Sequence, residues 1–518
     1  MPLKQAVCTL FICLLAGLQS MGQQWQLSQQ YTPPDVRSNN LFGNAVDIDG
    51  NYAIASAHRH SPIINSDTLT QSGAAYIFEK DANGKWNEAQ KLTAPDAVAY
   101  DYFGIDVGIS GTTAVVGAHY NSSDTDNENP MPAAGAVYVF ERDEESGTWQ
   151  FWQKLTASDR NTLDWFGQSL SIHQNCLIIG APGEDEEDNT AVGAVYVFEK
   201  GNNNFWVQQH KIENQNGDTN SHFGKEVALH QNNAVILEDF DAIAYQLNQK
   251  GWVETFKYSM NVPPYWSATP VAIDLNDDIM LIYDSYRFCR GIVEHGFGMV
   301  LIYEKTQNNF WNLTDTICQL DSLTTSLSES LALNENNQIL LSSYEELRDD
   351  DKVTKNRTAF LLERDSIIKN WVIKQKLPDE NRERIIYLDN FYYQNKVALS
   401  NEDVILTSPL LPINGQSNAG AIFLANADIK SNISIYQIEN PLLKFYPNPF
   451  KNEIYTEVPA LFKIENINVY NSLMQSIPYS ILNENNRLKI EINSSSGIYF
   501  INYKQSNNSL QNYKIIKH

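Results

Sequence analysis

Cysteine is scarce in this chain. Its 518 residues hold 5, and Cys8 and Cys13 fall within an apolar N-terminal run, so Cys176, Cys289 and Cys318 alone follow it. An odd remainder excludes a disulfide framework as the source of the fold. Basic residues are few as well: 37 Lys and Arg stand against 62 Asp and Glu, a formal charge of −25. That balance argues against nucleic acid, whose binding rests on cations neutralising phosphates, and against an anionic membrane surface. The plainer meaning of the acidity is solubility. Beyond residue 22 no stretch reaches the roughly 18 apolar residues of a membrane helix, so no transmembrane segment is expected. No G-x-S-x-G, HExxH, GxxxxGKS, GxxxxGKT or CxxC occurs. The common nucleophile, zinc and phosphate-loop signatures are therefore missing, and no catalytic residue is assigned.

What the chain does have is β-forming sequence. Aromatics make up 11% with 26 Tyr, and candidate helices are few, which suits an all-β fold. At the start, Lys4, the apolar run 6–18 and Ser20-Met21-Gly22 read as a signal peptide over 1–22, cleaved before Gln23. The protein is thus expected to be exported.

One stretch then recurs. Residues 73–104 (GAAYIFEKDANGKWNEAQKLTAPDAVAYDYFG), 135–167 and 193–224 each give an apolar strand, a polar turn, a Trp-led strand, a polar loop and Phe-Gly. The Trp recurs at Trp25, Trp86, Trp149, Trp206, Trp252, Trp311 and Trp371. Four copies place Phe-Gly at the same distance beyond it, as Phe42-Gly43, Phe103-Gly104, Phe166-Gly167 and Phe223-Gly224. The pitch is about 60 residues with four strand-length segments, which describes one propeller blade. Seven Trp predict seven blades over 23–425. The repeated Trp reads as packing between blades, and the repeated Gly as close backbone approach or positive φ. Trp25 precedes any first strand, so the N-terminal segment is expected to supply the last blade's fourth strand; residues 433–438 are a rival for that slot.

These residues resemble the FG-GAP repeat family, seven-bladed propellers known from integrin α-subunits and bacterial surface proteins. Phe166-Gly167 is followed by Gly180-Ala181-Pro182, while the later copies drift. From residue 445 the chain (FYPNPFKNEIYTEV, then GIYFINYK, ending YKIIKH) resembles the type A C-terminal sorting domain of type IX secretion. The expected fold is therefore an all-β, seven-bladed β-propeller of four-stranded blades, a linker over 426–441, and a small C-terminal β-sandwich over 442–518. The resemblance implies passage through the periplasm, the type IX secretion machinery as a partner, and a place at the outer surface or in the medium.

Strand order sorts the loops. The 1–2 and 3–4 turns share one face and are short. The 2–3 and 4–1 loops share the other and hold the insertions 57–72, 119–134, 182–192, 285–295, 344–357 and 409–419. Long loops on a rigid scaffold are where binding usually sits. Candidate ligand residues are the loop carboxylates Asp124, Asp126, Glu184, Asp185, Glu187 and Asp188. Such loops could hold calcium through oxygen ligands, although solvated acidic loops are the plainer reading. The family's calcium pattern in the 1–2 turn is missing, since that turn reads Asp47-Ile48-Asp49-Gly50-Asn51. His58 and His119 share a repeat position and read as structural. Cys289 and Cys318, expected on one face, are a disulfide candidate in an oxidising compartment. The favoured function is non-catalytic binding of an extracellular glycan or protein on the long-loop face. The alternative is a polymer-degrading hydrolase or lyase using carboxylates such as Glu184 and Asp188 as acid and base.

Overall fold

A computed structural model describes residues 24–64, 67–126, 129–184, 191–214, 221–239, 241–259, 272–284, 298–318, 324–349, 352–365, 370–378 and 396–428, and in the C-terminal part the strands between 453 and 517 together with Ile477. The chain divides into two compact units, Met1–Ile429 and Lys430–His518.

The first unit consists of seven four-stranded antiparallel sheets, a seven-bladed propeller. Blade 1 runs Val46–Asp49, Tyr52–Ala57, Ala74–Lys80 and Trp86–Leu92; blade 2 runs Val107–Ser110, Thr113–Ala118, Ala136–Arg142 and Trp149–Leu155. Blade 3 runs Ser169–His173, Cys176–Ala181, Ala194–Lys200 and Trp206–Glu213; blade 4 runs Glu226–His230, Asn233–Leu237, Asp241–Asn248 and Gly251–Ser259. Blade 5 runs Ile273–Leu275, Ile279–Asp284, Met299–Lys305 and Trp311–Ile317; blade 6 runs Thr324–Leu333, Ile339–Asp349, Lys352–Arg364 and Trp371–Pro378. Blade 7 takes Val397–Leu399, Asp403–Ser408 and Ala421–Asp428 from the end of the unit. Its fourth strand is Gln24–Tyr31, paired antiparallel from Gln24↔Asp428 to Tyr31↔Ile422. The ring is closed by pairing the first and last strands of the propeller, as the position of Trp25 predicts. Residues 433–438, the rival for that slot, lie outside the described residues.

The core is divided among the seams. Each junction between neighbouring blades has its own apolar cluster, such as Ile54, Ile77, Val107, Val116 and Trp149 between blades 1 and 2. Strands 2 and 3 are apolar at nearly every position because both of their faces meet a neighbouring blade. The Trp that opens strand 4 packs against the preceding blade: Trp86, 1% exposed, donates from Nε1 to Asp403 of blade 7, and Trp149, 2% exposed, to Glu79 of blade 1.

Glycine sets how closely blades approach. A Cβ on Gly135 would lie 2.0 Å from the Phe166 carbonyl oxygen, and its φ is +88°. Gly73 meets Phe103, Gly193 meets Phe223 and Gly420 meets Phe42 in the same manner. A polar device repeats beside this contact in blades 1–3. An Asp of the 4–1 loop accepts from a strand 3 Tyr and pairs with a strand 4 Lys: Asp35 with Tyr76 and Lys91, Asp96 with Tyr138 and Lys154, Asp159 with Tyr196 and Lys211.

The second unit contains two three-stranded antiparallel sheets. One holds Glu453–Glu457, Arg487–Ile492 and Tyr479–Glu484; the other holds Ile464–Asn471, Gly497–Gln505 and Leu510–Lys517.

Two outcomes follow from the fold. Deleting Gln24–Tyr31 leaves blade 7 with an open edge, and the product should melt earlier and scatter light on heating; an unchanged midpoint would mean that another segment closes the ring. Gly135→Ala should destabilise by more than about 1–3 kcal/mol, the usual range for a strained backbone site, because backbone rather than a yielding side chain occupies the space. Denaturant unfolding reads that loss, and a variant as stable as the parent would remove the close-approach argument.

Candidate functional site: the long-loop face

The face carrying the 2–3 and 4–1 loops is built by a zipper of backbone hydrogen bonds. Among the described residues, the 4–1 loops that end at Phe42, Phe103, Phe166 and Phe223 lie along the 2–3 loop of the preceding blade. Tyr100, Tyr102 and Phe103 donate their N–H groups to the carbonyls of Thr70, Gln71 and Ser72. Leu163, Trp165 and Phe166 repeat this on Pro132, Ala133 and Ala134, and Asn39, Leu41 and Phe42 on Ser417, Asn418 and Ala419. The long insertions are therefore rooted in the blades by their own backbone.

This zipper forces left-handed backbone at equivalent positions. Asn39, Tyr100 and Leu163 have φ of 64°, 71° and 69°. Asn tolerates that region well; a larger L-residue there costs on the order of 1–2 kcal/mol. Tyr100 and Leu163 do not recover the cost by burial, being 55% and 52% exposed. Ile63, Val98 and Tyr120 stand exposed on the same face. One residue before Phe-Gly, Tyr102 also has positive φ, but it is packed: its ring stacks on His119 at 5.8 Å and meets His58 edge-on at 5.7 Å.

The sequence-predicted carboxylates separate into different roles. Asp126 is exposed, while Asp124 accepts from the backbone N–H of Asp126 and from the backbone and side chain of Asn129. Arg160 ties that loop down through the carbonyls of Ser122 and Asn129. Glu184 is 6% exposed, and Lys211 donates to it at 2.7 Å while also pairing with Asp159 and Glu213. Burial raises the Glu184 carboxyl, against the pull of Lys211. Asp185, Glu187 and Asp188 lie outside the described residues. His58 and His119 are neutral imidazoles, each pushed down to about 3 mainly by burial. Among the described residues no group of three or more His, Cys, Asp or Glu is placed to hold a metal ion. Cys318 is disulfide-bonded; Cys289 lies outside the described residues, and the pairing of the two stays a proposal. Cys176 is a free thiol that burial pushes up to about 12.

Sequence reasoning missed a second feature, the lumen. The first strands of all seven blades surround an axial cavity of about 700 Å³. Its polar side chains tie blades together. Asp47 accepts the N–H of Ile109, Asp106 that of Leu170, Ser171 that of Leu229, Asp274 that of Leu333 and Ser330 that of Val397, each on the next blade. Two pairs reach across the ring: Lys396 to Glu226 at 3.5 Å and His230 Nε2 to Glu335 at 2.7 Å. Enclosure pushes Asp47 up to about 6, and Asp106 and Asp274 to about 7, against the backbone N–H groups they accept. All three face the lumen and keep part of their surface exposed to it, which tempers the shift. The signal available in the sequence was the polar residues inside short first strands such as VDID and IDL.

Comparison with known proteins fits this geometry. The FG-GAP repeat model matches residues 25–78, 86–140 and 149–198, and a secretion system C-terminal sorting domain matches 444–518. The chain carries FG-GAP repeats on a seven-bladed propeller and a type IX sorting domain, so it is exported to the cell surface or the extracellular space. No curated protein matches. Among solved structures, a Lactobacillus plantarum protein is similar at 10% identity and a TM-score of 0.40, covering 65% of this chain and 86% of its own. Sqt1 of Saccharomyces cerevisiae is similar at 9% identity and a TM-score of 0.37, covering 95% of this chain and 100% of its own. Likenesses this distant carry no argument about function. No helix among the described residues is long and apolar enough to cross a membrane.

The lumen carboxylates make a pH prediction. Their native pKa values lie above the unfolded value of about 4, so between about pH 4 and 7 the native state holds more protons than the unfolded one. The stability these groups contribute therefore falls as pH rises through that window. Asp274→Asn cannot titrate, so its melting deficit relative to the parent should be larger at pH 5 than at pH 8. A deficit of the same size at pH 5 and pH 8 would show that the two backbone N–H donors hold Asp274 ionised throughout, because neither state would then change its protonation in that window.

Proposed function

We propose that the protein is an exported, non-catalytic recognition module that binds a glycan or protein ligand on the long-loop face of blades 1–3. The observation that carries this reading is the pair Tyr100 and Leu163. Each places a large side chain in left-handed backbone and leaves it in solvent, where the equivalent position of blade 1 uses Asn39. A strained and exposed residue that packing does not require is the signature of a contact with something else. Val98 and Tyr120 extend the same surface.

The hydrolase reading is weakened by Glu184. A general acid must approach substrate, and this carboxylate is buried on Lys211. The remaining loop carboxylates give the face a negative potential, so a ligand with cationic groups is favoured over an anionic one, and its association weakens with salt over a Debye length of about 8 Å.

The test is a glycan array and a panel of purified extracellular-matrix proteins, probed with the exported chain and with Tyr100→Ser/Tyr120→Ser/Leu163→Ser. The triple variant should lose binding. Because Tyr120 also packs edge-on against Tyr102 and His119, Tyr100→Ser/Leu163→Ser, which removes exposed side chains only, should lose binding at an unchanged melting temperature. Asp124→Asn/Asp126→Asn should shift the salt dependence. Loss of binding in Asp47→Asn/Asp49→Asn at an unchanged melting temperature, with the triple variant unaffected, would place the functional face at the other end of the ring. The melting control is needed because both carboxylates also hold blade 2.

A further inference from the structure

We propose that Trp152 and Phe205 form a second binding site, a platform for an uncharged glycan at the outer seam of blades 2 and 3. It lies beside a 3–4 turn, on the opposite face by strand order, and does not depend on the reading above.

The repeat itself shows that the ring of Trp152 is not architectural. In every blade the fourth strand bulges against the third, with the extra residue three positions after the repeat Trp. Six blades place Ser, Ala, Gln, Thr or Lys there; blade 2 places Trp152. The bulge thus needs no indole, and Trp152 is 38% exposed. Across the seam stands Phe205, 46% exposed, immediately before the buried Trp206. The two rings have centroids 5.4 Å apart and planes inclined at 38°.

The platform is held rigidly. Trp152 Nε1 donates to the Asn204 carbonyl at 2.8 Å, so the indole's one polar atom is satisfied and its ring is fixed in place. Beneath it, Gln153 Nε2 donates to the Trp206 carbonyl and Gln153 Oε1 accepts from the Trp206 N–H, both at 2.9 Å. A pair of rings oriented in advance loses little freedom on binding.

Charge selects the partner. Residues 149–153 and 201–210 contain no Asp, Glu, Lys or Arg, within a chain of net charge −25. Exposed amides, Gln150 and Gln209, stand in the same two strands. An aromatic face carries negative charge density and attracts the polarised C–H face of a sugar, while amides both donate to and accept from hydroxyls. A cationic ligand would be drawn instead to the acidic loops, and an anionic polymer would be repelled by the net charge.

The full exported chain should be run in native gels containing laminarin, galactomannan or xyloglucan, with alginate as the anionic counterpart. The expected result is retardation by at least one neutral polysaccharide, insensitive to added salt. Trp152→Thr and Phe205→Ser should each weaken it by about tenfold or more, the scale of an aromatic contact at the centre of an interface. Phe310→Ser, which removes an isolated ring 64% exposed before the Trp of blade 5, should leave it unchanged. Thr already occupies the bulge of blades 4 and 5, so the fold should tolerate Trp152→Thr; if its melting temperature drops, Phe205→Ser decides. Retardation by no neutral polysaccharide, by alginate alone, or to the same degree in both variants would overturn the proposal. So would sedimentation as a dimer that Trp152→Thr dissociates, which would make the platform a contact between copies of this chain.

Discussion

Blades in this ring must touch backbone to backbone, and most of what is regular in the structure depends on that contact. Where Gly73, Gly135, Gly193 and Gly420 open a third strand, the space a Cβ would occupy belongs to the backbone of the next Phe-Gly. Four seams are built in this manner: 7/1, 1/2, 2/3 and 3/4. The 4–1 and 2–3 loops can then zip together, and the Phe side chain is drawn to complete burial, as Phe42, Phe103, Phe166 and Phe223 all show.

Among the described residues the other seams show no such Gly–Phe pair, and different contacts hold them. Between blades 4 and 5, Tyr258 donates to Asp284 at 2.6 Å in the buried layer. Between 5 and 6 and between 6 and 7, Asp274 and Ser330 latch the next first strand from inside the lumen. Lumen latches also run through the Gly-bearing seams, at Asp47, Asp106 and Ser171. The polar lining of the cavity is thus largely engaged in tying the ring. That engagement directs attention outward, to the loop face, because a carboxylate already accepting two backbone N–H groups has little left to offer a ligand.

The same constraint explains what the sequence disclosed. Phe-Gly and the third-strand Gly were legible because steric exclusion admits one residue type, and the Trp spacing was legible because each indole fills a seam. Blade count, strand order and the closure by Gln24–Tyr31 followed from those marks. The fate of Glu184 did not. In sequence it opens the run EDEED, whereas in space it faces Lys211, which lies 27 positions away. The lumen was hidden because in six of the seven blades the first strand has only three to five residues, too few positions for alternation to be distinctive.

Trp152 was hidden for the opposite reason, an excess of signal. The run WQFWQKL contains two Trp, and periodicity assigns aromatic residues in a strand to packing. Only the register separates them. Trp149 faces Glu79 across the seam and is buried, whereas Trp152 falls on the bulge, where six other blades do without an aromatic ring. Repeat proteins permit this inference without any relatives, because their own blades are the comparison set. A residue type shared by equivalent positions reports the architecture; a large, exposed departure from it, as at Trp152 and at Tyr100, reports something that the architecture does not require.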